Sequence, residues 1–98
     1  MLDSNKAIEI NPQYEKALRN RGESYWAMGN LNQAIADYNA AISLNPDYAN
    51  AYISRAIAFY QLKKYSNAWA DVHKAEELKA VVNPGFINAL TEASGQNG

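Results

Sequence analysis

The sequence predicts an all-α solenoid of antiparallel helix hairpins, because a block of it returns after 34 residues. Asn11-Pro12-Gln13-Tyr14 is answered by Asn45-Pro46-Asp47-Tyr48. The same shift lays Ala17 on Ala51, Arg21 on Arg55, Ala34 on Ala68, Asp37 on Asp71 and Ala41 on Ala75. Mismatches such as Tyr25/Phe59, Trp26/Tyr60 and Met28/Leu62 keep size and chemistry. Within each copy apolar residues recur at spacings of three and four, the period of one helix face. A repeat of this length means stacked copies of one supersecondary unit, each burying its neighbour's apolar face, and such arrays serve mostly as binding surfaces.

Taken in order, Asn5 to Pro12 matches Asn39 to Pro46, so the chain is expected to begin inside the second helix of an earlier unit, residues 1–14. The first full unit is 15–48. Leu18, Arg21/Gly22, Tyr25 and Met28 mark one face of a helix from about Tyr14 to Met28, and Gly29-Asn30 breaks it. Leu31, Ala34, Tyr38, Ala41 and Ile42 form the stripe of the return helix, which Asn45-Pro46 ends. The second unit, 49–82, repeats this with Tyr52, Ala56, Phe59 and Leu62, then Tyr65, Ala68, Trp69, Val72, Ala75 and Leu78, with Lys63-Lys64 in place of the glycine turn. Asn83-Pro84 follows Asn45-Pro46 by 38 residues rather than 34, which predicts one extra helical turn through Ala80, Val81 and Val82. Residues 83–93 then form a capping helix, with Phe86, Leu90 and Ala93 over the open end of the stack. Ser94 to Gly98 is small and polar, the composition of a disordered tail.

The pattern resembles the tetratricopeptide repeat from about Met1 to Val82. Gly22 and Ala56 stand at the close helix contact, Tyr25 and Phe59 in the aromatic core, Ala34 and Ala68 at the hairpin crossing, and Ala41 and Ala75 where units stack. Small residues suit points where helix axes approach, and aromatics fill the space between them. Three positions depart from the family pattern: Arg21 and Arg55 replace a leucine, Ala80 replaces the unit-ending proline, and Val72 is the large residue beside Trp69. The resemblance implies a right-handed superhelix with a concave groove lined by the first helix of each unit.

Along those first helices a second stripe runs through Lys16, Arg19, Asn20, Glu23 and Trp26, then Asn50, Ile53, Ser54, Ile57, Tyr60 and Gln61. These are the candidate groove residues. Ile53, Ile57, Tyr60 and Trp26 make an apolar strip on a face expected to meet solvent, which points to a partner peptide or helix, with an apolar anchor and an acidic neighbour facing Lys16 and Arg19. Coverage of the strip by neighbouring repeats or a terminal helix is the alternative. Some family members hold a chaperone carboxyl terminus in a basic clamp. Arg19 fits that pattern, whereas Glu23 and Ser54 replace its asparagines.

Arg21 and Arg55 are each followed sixteen residues later by an aspartate, Asp37 and Asp71. A guanidinium at a helix interface needs a planar acceptor, so pairing with the aspartate of the same or the adjacent hairpin is expected. The sequence offers no catalytic constellation: His73 with Glu77 one turn on gives two ligands on one helix, too few for a metal centre. No phosphate-cradling glycine loop is present, and no cofactor is expected. A net charge of −1 argues against nucleic acid and anionic membranes and for protein partners. There is no apolar run of membrane-spanning length, and Met1-Leu2-Asp3-Ser4 shows no leader pattern. With no cysteine, the compartment is open, the cytoplasm being the default. The expected molecule is a noncatalytic interaction scaffold, monomeric in isolation, or else a structural stretch of a longer solenoid in an enzyme or assembly protein.

Overall fold

The computed structural model describes residues 14–95. The expected half unit at 1–14 lies outside them, apart from Tyr14, which opens the first described helix. Five helices follow: α1 Tyr14–Ala27, α2 Leu31–Leu44, α3 Ala49–Gln61, α4 Tyr65–Glu77 and α5 Pro84–Ser94. Helix α1 packs along α2, α3 along α4, and α2 along α3. These contacts make two stacked hairpins, all-helical among the described residues, with α5 laid on α4. The principal extents, 46 × 29 × 17 Å, are those of a slab grown by stacking.

Each hairpin turns on the same hydrogen bonds despite different residues. After α1, Asn30 N donates to Tyr25 O at 2.8 Å and Gly29, at φ 85°, donates to Trp26 O. After α3, Lys64 N donates to Phe59 O at 2.8 Å and Lys63 takes the left-handed place at φ 64°. Both are Schellman-type ends, in which one left-handed residue lets the chain return its amides to the last turn. Between the hairpins Asn45 acts as a hinge: its side-chain oxygen accepts from Asp47 N, its amide donates to Glu15 at 2.9 Å, and Tyr52 Oη donates to Pro46 O. Asn45-Pro46-Asp47-Tyr48 is therefore a corner that fixes where α3 starts.

Close approach is achieved at Gly22. It is buried against Tyr38, and a Cβ there would lie 2.6 Å from Tyr38 Cε1. In the second hairpin the equivalent pair is Ala56 with Val72, both fully buried. A smaller facing residue leaves room for a methyl group, so the two copies satisfy one volume in two ways. The larger core gathers Tyr52, Ala68, Trp69, Val72, Val82 and Leu90.

Both arginine–aspartate pairs form inside their own hairpins. Arg21 Nε and Nη2 donate to Asp37 at 2.8 Å each, and Arg55 donates to Asp71 at 2.9 and 2.7 Å. Arg55 Nη1 also donates to Asn39 of the preceding hairpin at 2.7 Å, joining the repeats. The Arg55 guanidinium lies over the rings of Tyr52 and Phe59, at 5.6 and 5.7 Å from their centres. Bidentate bonding from Asp71 holds its guanidinium above the usual range. Burial pushes the Asp71 carboxyl up, against the pull of Arg55.

Three expectations need correction at the carboxyl end. Helix α4 does not continue through Ala80, Val81 and Val82; it stops at Glu77, with Lys79 left-handed at φ 72° and Ala80 N donating to Ala75 O. The added residues form a non-helical link in which Val81 is exposed and Val82 enters the core. Burying one of two β-branched neighbours outweighs a further turn. Ser94 and Gly95 are not tail: Ser94 ends α5 and its hydroxyl accepts from Trp69 Nε1 at 3.1 Å, while Gly95 supplies the left-handed cap. Ala93 faces solvent and covers nothing. Leu90 is completely buried against the core of the second hairpin, and Phe86 meets Tyr60 edge-on at 5.6 Å. Asn83 accepts from Gly85 N and Pro84 occupies the first turn, which fixes the start of α5.

Candidate functional site

The first helices of the two hairpins, α1 and α3, meet side by side, and the stripes read from the sequence meet with them. Arg19 Nε donates to Ser54 Oγ at 3.2 Å, a direct bridge between the helices, and Arg19 Nη2 lies 3.9 Å from Glu23. Further along, Glu23 and Trp26 of α1 and Ser54 and Ile57 of α3 surround an open pocket floored by Tyr38 of α2. Residues three or four apart share a helix face, so Glu23/Trp26 and Ser54/Ile57 each present a matched pair to this hollow.

The polar groups here are held. Tyr38 Oη donates to Glu23 Oε2 at 3.1 Å, and burial pushes the Tyr38 hydroxyl well above the usual range, with Glu23 adding to the rise. Ser54 is buried and Arg19 half-buried. Trp26 Nε1 is shielded from solvent and has no hydrogen-bond partner among the described residues.

The remaining candidates are dispersed. Lys16, Asn20, Asn50 and Gln61 are exposed on α1 and α3, outside the pocket. Ile53 packs against the larger core. Tyr60 does too, and is contacted by Tyr65 at 6.0 Å and by Phe86, so this chain's own last helix claims that end of the apolar strip.

Tyr38 is the pocket residue that the stripe pattern misses, because α2 is read there only as packing surface. Its signal is Gly22: a missing side chain on α1 makes space for a large ring from α2, and that ring reaches the α1/α3 face. His73 and Glu77 behave as surface residues, His73 lying against Trp69 at 5.7 Å. Among the described residues no three His, Cys, Asp or Glu side chains group as a metal site, and no helix is long and apolar enough to cross a membrane.

Residues 22–63, from the glycine contact of α1 to the left-handed lysine after α3, match the family model described as TPR repeat. Over that span the chain is similar to TPR repeats. A comparison with curated proteins gives no match. TPR repeats mediate protein–protein interaction, and the TPR fold is typically a noncatalytic scaffold. The matched span includes the whole pocket lining, Glu23, Trp26, Tyr38, Ser54 and Ile57.

Proposed function

We propose that this TPR segment is a noncatalytic scaffold that receives a peptide or helix of a partner protein on the α1/α3 face. The observation that carries this reading is the convergence of two separate stripes, tied by Arg19 to Ser54, on one pocket with apolar walls at Trp26 and Ile57. A shallow apolar hollow with a few fixed polar groups is suited to one anchoring side chain. Exposed Lys16, near the start of α1, favours an acidic residue beside that anchor. The near balance of charge favours a protein over nucleic acid or a lipid surface. In isolation the scaffold is monomeric, because Leu90 and Phe86 already occupy the apolar end of the second hairpin.

Selecting ligands from a displayed peptide library and measuring them against Ile57→Asp tests the reading. Affinity should fall at least tenfold, about 1.4 kcal/mol, with the helical fold retained. Unchanged affinity would place binding on another surface. A second reading, a structural stretch of a longer solenoid with no ligand of its own, draws support from Tyr60, whose ring is met by Phe86. Failure of every library to yield an Ile57-dependent ligand would favour it.

A further inference from the structure

Trp26 holds the least satisfied group described in the molecule. Its ring lines the pocket, yet Nε1 is shielded from water and unmatched among the described residues. A buried donor in that state is destabilising, and an acceptor brought to it by a ligand removes the deficit.

The other walls restrict what that ligand can be. Glu23 accepts one bond from Tyr38 and has Arg19 at 3.9 Å, which leaves part of its acceptor capacity open. Arg19, beside the pocket, is engaged by Ser54, and among the described residues no basic side chain lines the pocket. An anion would supply an acceptor for Trp26 but meet the Glu23 carboxylate across a small hollow. A cation would suit Glu23 and leave the indole unmatched. A neutral primary carboxamide fits both, its carbonyl toward Trp26 and its amino group toward Glu23, with Ile57 for the methylene stem.

We infer that the pocket takes the side-chain carboxamide of a glutamine or asparagine from the partner. The half-buried indole turns toward the opening so that Nε1 donates to the amide oxygen, and the amide nitrogen donates to Glu23. This rests on the α1/α3 groove reading and names the chemistry it selects at one subsite.

The test is a nuclear magnetic resonance titration of the intact chain with propionamide, the side chain of glutamine, and with propionate of the same shape. The chain has two tryptophans, so its ¹H–¹⁵N spectrum carries two indole signals, and Trp26→Phe identifies the one that matters. Propionamide should move the Trp26 indole signal downfield, and propionate should be weaker by at least about tenfold. Glu23→Gln should erase that discrimination while its backbone spectrum shows the fold kept. An indole signal that stays still at saturating propionamide, or moves equally with propionate in the parent chain, overturns the inference. A library peptide that needs Ile57 but leaves the Trp26 indole unmoved also overturns it, while sparing the groove reading. A propionamide response in a chain that yields no Ile57-dependent peptide supports the subsite and counts against the groove reading alone.

Discussion

Gly22→Ala should destabilise this chain although alanine is the better helix former. The new Cβ would lie 2.6 Å from Tyr38 Cε1, 2.9 Å from Tyr38 Cδ1 and 3.2 Å from the Ala34 carbonyl oxygen. The ring has little room to retreat, being 1 % exposed and tied by its hydroxyl to Glu23. Overpacking of this kind costs about 1–3 kcal/mol, and contact with both a pinned ring and a backbone oxygen puts this case at the upper end. Helix propensity returns about 1 kcal/mol for glycine to alanine. The net loss is about 2 kcal/mol, a fall in melting temperature of about 8–16 °C for a chain of this size. The second hairpin supplies the control, since it already packs Ala56 against Val72. Tyr38→Val alone removes core volume and should cost about 2–4 kcal/mol. Adding Gly22→Ala to it should cost little more, giving a coupling of about 1–2 kcal/mol. Urea and thermal melts followed by circular dichroism measure all three variants. A Gly22→Ala chain as stable as the parent, or strictly additive losses, would refute the packing account.

Four further outcomes are expected. Arg55→Ala and Asp71→Ala should each cost about 3 kcal/mol, because each strands a half-buried or buried charge, and the double variant should cost much less than their sum; additive urea-melt losses would deny a direct pair. Lys63→Gly and Lys79→Gly should each stabilise by about 0.5–1 kcal/mol, since both lysines sit at positive φ where glycine is unstrained; a lower urea midpoint in either variant would contradict the left-handed caps. Leu90→Ala should cost about 2–5 kcal/mol, the range for a fully buried leucine. Removal of residues 84–98 should lower the melting temperature or drive self-association by exposing Trp69, Val72 and Tyr60; a truncated chain that sediments as a monomer and melts like the parent would reduce α5 to a linker.

The sequence disclosed most where chemistry repeats. The shift of Arg21 and Asp37 onto Arg55 and Asp71 announced two ion pairs, because a guanidinium at a helix interface has few ways to be satisfied. Gly29 and the Asn45-Pro46 corner likewise placed the helix ends, since glycine admits the left-handed φ that ends α1 and proline fixes its own φ and lacks an amide donor. Lys79 concealed its turn: lysine and alanine favour helix, so nothing local showed that Lys79 adopts φ 72° and that Ala80 to Asn83 leave the helix. What decides that point is distant, the burial of Val82 in a core shared with Leu90. Tyr60 is a similar case. Its place on the stripe was readable, but its contact with Phe86 depends on where α5 docks. In the pocket, four of five lining residues were on the stripes, and Tyr38 was hidden because a helix period identifies a face without saying what a long ring on it reaches.

The central claim, that partners dock on the face shared by α1 and α3, is tested most directly by a binding footprint. Backbone and indole shifts should be mapped with a library-selected peptide bound to the parent chain. The account predicts changes concentrated at Arg19, Glu23, Trp26, Ser54 and Ile57. Changes centred instead on Asn39, Asn67 and Ala70, which line a separate open hollow beside Arg55, with the α1/α3 signals unmoved, would contradict it.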